Sequence, residues 1–159
     1  MPSDGSTVLF GALPPEFKFS PSDKRLLTRF VRKLSARVAH GKSFECLITD
    51  DRELQRLNKT FLNHDYPTDV LSFPAPNQTF TIGECAISVE RADEQRRQFG
   101  HSLMEEINIL MLHGVLHLTG LDHEKDSGAM AQAELRWRAE FNLPNSLIER
   151  SRTARSASL

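Results

Sequence analysis

Residues 113–123 read H-G-V-L-H-L-T-G-L-D-H and hold three of the chain's six histidines, His113, His117 and His123. His113 and His117 are four positions apart. On a helix that spacing puts both imidazoles on one face, one turn apart. Gly120 follows, where a glycine can end the helix in a left-handed turn. His123 would then return to the same point from outside the helix. Three imidazoles without a fourth protein ligand are the pattern of a catalytic zinc site with an open position.

The residues ahead of this stretch set its frame. Ser102 is placed to cap a helix, with Glu105 as its capping-box partner. Leu103, Met104, Ile107, Leu110, Val115 and Leu118 then spread over nearly every face of that helix. A helix apolar all round is a buried central helix, and such a helix holds its ligands in a rigid array.

The remaining segments build a layer for this helix to pack on. Residues 7–10, 43–49, 69–73 and 83–89 read as strands. Ser20, Pro21 and Asp23 start a helix that runs to about His40. Leu26, Leu27, Phe30, Val31, Leu34 and Val38 make its apolar face, and Arg25, Arg29, Arg32 and Lys33 cluster on the other. A solvated surface is the ordinary reading of such a basic face; a track for RNA phosphates is the functional one. Asp50 caps the next helix with Glu53 as a capping-box partner, and Leu54, Leu57 and Phe61 mark its buried side. A polar helix over 90–99 ends at Gly100, and a last helix over about 127–141 contains Trp137. The expected fold is α+β: a small mixed sheet of about four strands surrounded by helices, with a central buried helix carrying two metal-ligand histidines. Strand spacing leaves the direction of each pair open.

With 159 residues, 26% charged and 39% hydrophobic, the chain suits one globular domain, expected over 7–145. Residues 146–159 read as a flexible basic tail. The formal net charge is -1, so any nucleic-acid footprint must be local. Cys46 and Cys85 form no C-x-x-C pair and read as small buried thiols of a reducing compartment. No signal peptide and no membrane-length apolar run is visible. The expected location is the cytoplasm.

The spacing H-x-x-x-H-x-x-G-x-x-H equals that of metzincin proteases, which carry a general-base Glu directly after the first His. Here that position is Gly114, so a protease reading loses its base. A glycine there is also expected to let a bulky, charged group approach the metal, which favours phosphodiester cleavage assisted by charge stabilisation.

Three segments, P-T-D-V-L-S-F-P at 67–74, G-E-C-A-I-S at 83–88 and the histidine stretch, together with Leu57-Asn58, Met130 and Glu134, resemble the YbeY family of bacterial endoribonucleases and rRNA maturation factors. The likeness runs from about Val8 to Leu143. It implies a single-strand-specific, metal-dependent endoribonuclease that acts on the 3′ end of small-subunit rRNA and in ribosome quality control. One zinc ion per chain is expected, on His113, His117 and His123. The implied partners are single-stranded RNA, the small ribosomal subunit and its assembly factors, with no membrane and no DNA. The chain departs from the family pattern at Leu62, where an Arg thought to meet RNA is usual, and at Glu84, where Asp is usual.

Other roles are weighed beside these. Asp122 orients an imidazole or assists a proton transfer, or caps the turn. His64 donates a proton to a leaving 5′ oxygen, or is a solvated loop residue. Asp69 is a supporting acid or a strand-start hydrogen bonder. Thr68, Ser72 and Phe73 line the cleft, where Phe73 stacks a base or fills core. A binding factor that assembles ribosomes around a structural zinc is the alternative function, and a metalloprotease comes after it.

Overall fold

A computed structural model describes residues 5–120 and 128–144. Its elements are β1 (Thr7–Phe10), α1 (Pro21–Arg37), β2 (Ser43–Thr49), α2 (Asp51–Leu62), β3 (Val70–Pro74), β4 (Thr81–Ser88), α3 (Val89–Phe99), α4 (Leu103–Leu118) and α5 (Ala129–Glu140). The expected α+β class holds. The four strands form one mixed sheet in the order β1-β2-β4-β3. β1 with β2 and β2 with β4 run parallel, and β3 with β4 antiparallel. Asp122, His123 and the expected tail over 146–159 lie outside the described residues.

Strand periodicity divides the sheet's two faces. Leu47, Leu71 and Ala86 point to one face, where α2 lays Leu54 and Leu57 on them. Cys46, Ile48, Cys85 and Ile87 point to the other and join the main core with α1, α4 and α5. Cys46 and Cys85 are in register on neighbouring strands, an adjacency their distance in sequence does not announce. Both thiols are free and buried. The Cys46 thiol is held well above its ordinary range by its hydrogen bond to Cys85 and by burial, so it is a poor nucleophile.

The expected cap residues sit at their helix starts, but at Asp50 the expected box closes only by half, because the Glu53 carboxylate turns to Arg56. Ser20 and Ser102 each close a full capping box, with Asp23 and Glu105. Asp50 accepts from the Glu53 backbone N–H. Two apolar assignments fail. Leu26 on α1 is 50% exposed and Phe61 on α2 is 63% exposed. In α2 the residue buried beside Leu54 is Asn58, whose amide donates to the Tyr66 carbonyl and so has a reason to be inside. Phe61 meets only the edge of the Phe73 ring, with centroids 5.5 Å apart.

Gly83 shows why the β3–β4 hairpin needs a glycine. Its φ is +134°, and an added Cβ would lie 2.2 Å from the Phe73 carbonyl oxygen, against backbone that cannot give way. Gln78, in the same hairpin, donates to the Leu118 carbonyl at 2.9 Å. That bond satisfies one of the orphan carbonyls at the end of α4 and ties the hairpin to the helix that carries the histidines.

Candidate metal centre

α4 is the central buried helix expected. Ile107, Met111, Leu112 and Val115 are fully buried, and the helix packs against α1, α3, α5, β3 and β4. His113 and His117 sit near its C-terminal end and are only partly buried. The helix closes at Thr119, and Gly120 follows with φ +102°, in the left-handed region the sequence called for. The rings lie 4.6 Å apart, and their Nε2 atoms converge to 3.0 Å.

The opposite nitrogen of His113 explains this convergence. His113 Nδ1 meets Glu134 Oε1 of α5. A carboxylate is an obligate acceptor, so the Nδ1 carries the proton and the Nε2 lone pair points toward His117. Metal-bound histidines are oriented by this kind of carboxylate contact. A tetrahedral zinc with bonds of about 2.0–2.1 Å holds two nitrogens roughly 3.3 Å apart. The two described nitrogens, 3.0 Å apart, stand close to that separation and can share one metal ion.

Glu134 is itself buried, and its second oxygen lies 3.7 Å from Arg138 Nη2, one turn further along α5. Arg138 is fully buried, and its Nη1 donates to the Pro144 carbonyl at 3.2 Å. Its Nε and Nη2 find no hydrogen-bond acceptor among the described residues. A buried guanidinium of this kind is tolerable because Glu134 offsets its charge. Burial pushes the His113 imidazole down, but Glu134 more than reverses this, with Asp69 adding and Arg138 opposing, so its pKa stands above the ordinary value. In the sequence Glu134 stands out only through the family resemblance. It opens an E-x-x-x-R turn with Arg138 on α5, and its reach to His113 comes from the packing of α5 on α4, which no local pattern announces.

Gly114 overturns an expectation. An added Cβ would lie 3.2 Å from Cys85 Cβ, 3.3 Å from Ser72 Oγ and 3.3 Å from Val70 Cγ2. The residue faces the sheet, one helical step around from the imidazoles. It lets α4 sit close on β3 and β4 and gives no room for a substrate group at the metal. The absence of a general base at this position stands. Ser72, expected to line the cleft, instead donates to the Gly114 carbonyl at 2.9 Å and pins the helix to β3.

Asp69 is a strand-start anchor. Its Oδ1 accepts from the Val70 N–H at 2.8 Å, and its Oδ2 accepts from Gln95 of α3 at 3.0 Å. His64 lies exposed after α2, its Nδ1 2.9 Å from the Tyr66 hydroxyl. Leu62 is 46% exposed beside it. Thr68 is partly buried, its hydroxyl 3.5 Å from Asp69 Oδ1. Phe73 packs with Leu54 and Leu71 on the α2 face of the sheet, under the exposed Phe61.

Comparison with known proteins agrees with the sequence resemblance. The family model described as Endoribonuclease YbeY matches residues 17–141. A protein named Endoribonuclease YbeY from Solibacter usitatus is 50% identical over 147 residues, 92% of this chain and 95% of that protein. One of the same name from Koribacter versatilis is 42% identical over 134 residues, 84% of this chain and 88% of the relative. The solution structure of TM1509 from Thermotoga maritima superposes with a TM-score of 0.58 at 22% identity, covering 86% of this chain and 92% of that one. That last likeness concerns the fold.

Proposed function

This chain belongs to the YbeY endoribonuclease family, and on that premise we propose that it is a zinc-dependent endoribonuclease that cuts single-stranded RNA during rRNA maturation. One observation carries the reading: two imidazole nitrogens converge on one point while the far nitrogen of His113 is held by a buried carboxylate. His113, His117 and His123 would hold the ion. When bound, it supplies Lewis-acid charge for a phosphate and a nucleophile at neutral pH.

The chain's own residues do the rest. Glu134 fixes the tautomer and orientation of His113. Arg138 balances Glu134, and Ser72 with Gln78 holds the end of α4 against the sheet. We assign Asp122 to orienting an imidazole, and His64 to donating a proton to the departing 5′ oxygen. The domain spans 7–145. The substrate is small-subunit rRNA near its 3′ end, and the small subunit with its assembly factors is the setting, extending to quality control. A cytoplasmic location follows from that setting, and no helix among the described residues is long and apolar enough to cross a membrane.

The test uses purified protein and a labelled single-stranded RNA. Wild type should cut it, and His117→Ala should keep its circular dichroism spectrum and lose both bound metal and cutting. A wild-type protein that sediments with small-subunit particles but never cuts when zinc-replete would replace this reading with a binding factor.

A further inference from the structure

α1 presents a run of basic side chains on its outer face with few acids among them. α1 carries Lys24, Arg25, Arg29, Arg32, Lys33 and Arg37 against one acid, Asp23, in a chain that holds 20 basic and 21 acidic residues in all. Asp23 is engaged in the helix cap. Several basic side chains elsewhere are paired with carboxylates: Arg56 with Glu53 at 2.6 Å, Arg91 with Asp51 at 3.3 Å, Arg96 and Arg97 with Asp93 at 2.8 and 2.6 Å. Arg37 itself pairs with Glu140 at 3.0 Å. Among the described residues no ion pair with a carboxylate engages Arg25, Arg29, Arg32 or Lys33, and all four are exposed.

Geometry orders this charge. Arg25, Arg29 and Arg32 fall at i, i+4 and i+7, a single ridge, and with Lys24 and Thr28 they form an open basic patch on the outer face of α1. At 1.5 Å per residue the ridge runs about 10 Å, long enough to meet successive phosphates of one strand. We propose that this basic ridge binds the phosphate backbone of the RNA substrate, a docking site separate from the histidine pair. It rests on the RNA-cleaving reading above. Guanidinium forks suit phosphate oxygens bidentately. An anionic membrane is a poorer fit. The apolar face of α1, with Leu27, Phe30, Val31 and Leu34, is already spent in the core, so the helix has little apolar surface to bury in lipid. α1 also packs directly on α4, the helix that carries His113 and His117.

The experiment measures binding of a fluorescent single-stranded RNA to the full chain in a chelator, so that nothing is cut, over a salt series. The triple variant Arg25→Gln/Arg29→Gln/Arg32→Gln is compared with wild type and with Arg56→Gln/Arg97→Gln/Arg136→Gln, which has the same net charge and leaves α1 untouched. The α1 variant should bind on the order of a hundredfold more weakly at 0.1 M salt, with a log–log salt slope shallower by about 2, at roughly 0.7 per lost contact on a single strand. The control should stay near wild type. Equal losses in both triples, or none in the α1 triple, would overturn the docking site. So would an α1 triple that keeps RNA affinity but loses binding to phosphatidylserine vesicles. Wild-type protein that neither binds nor cuts RNA would instead remove the functional reading beneath it. Unchanged metal content in the α1 triple shows that its fold and centre are intact.

Discussion

Glu134 and Arg138 form a buried pair whose two jobs separate by mutation. Removing Glu134 alone strips His113 of its acceptor and leaves Arg138 buried without its counter-charge. The first loss should weaken metal binding about 10–100-fold, as for other supporting carboxylates, which is about 1.4–2.7 kcal/mol. The second should cost the metal-free protein about 3–5 kcal/mol of stability. In the double variant Glu134→Leu/Arg138→Met both charges go. Most of the stability should then return, because apolar residues of similar volume replace such a pair at little cost, less about 1–3 kcal/mol for the His113 Nδ1–H left without a partner. The metal affinity should not return. Chelator-competition titration reads the affinity, and denaturant melts of chelated protein read the stability. A double variant that binds zinc like wild type would refute the claim that Glu134 orients His113.

Gly114→Glu would restore the residue that metzincins use as a base, yet it should produce no peptidase: the side chain has to enter the space of Cys85, Ser72 and Val70, and thermal melts should fall by several degrees with loss of bound metal. Leu62→Arg lies on exposed surface and should leave stability within about 0.5 kcal/mol, while raising RNA affinity and steepening its salt slope by about 0.7 in binding titrations. The pH response of stability should reverse with metal. In chelated protein the raised His113 pKa contributes stability that is fully present below the unfolded value of about 6.5 and is lost as pH rises through the higher folded value. With zinc bound, the ligands must be deprotonated, so the stability that the metal adds should grow over that same interval. Paired melts across pH check the opposite signs.

Local signals carried much of this architecture. The bounds of β1 and β2 and the two capping boxes are written in alternation and in Ser-x-x-acid spacing, because caps and strands are decided by neighbours in sequence. Strand order and direction are not. Nothing local in S-F-E-C-L-I-T says that β2 lies between β1 and β4, or that Cys46 will face Cys85. Phe61 shows the limit of helical periodicity: it falls on the α2 stripe with Leu54 and Leu57, but it meets the Phe73 ring edge-on and most of its surface stays in solvent. At the centre, the i, i+4 histidines were legible because helix geometry alone makes them neighbours. The orientation of Gly114 and the reach of Glu134 depend on how α4 and α5 pack, so they became visible only in three dimensions.

The most direct test of the central claim is a zinc titration of metal-free protein, followed at each point by cleavage of a labelled single-stranded RNA. Cleavage should rise in proportion to bound zinc and level off at about one ion per chain, as expected for one three-histidine site. Full cleavage in the metal-free protein, or saturation with zinc without any cleavage, would contradict the account.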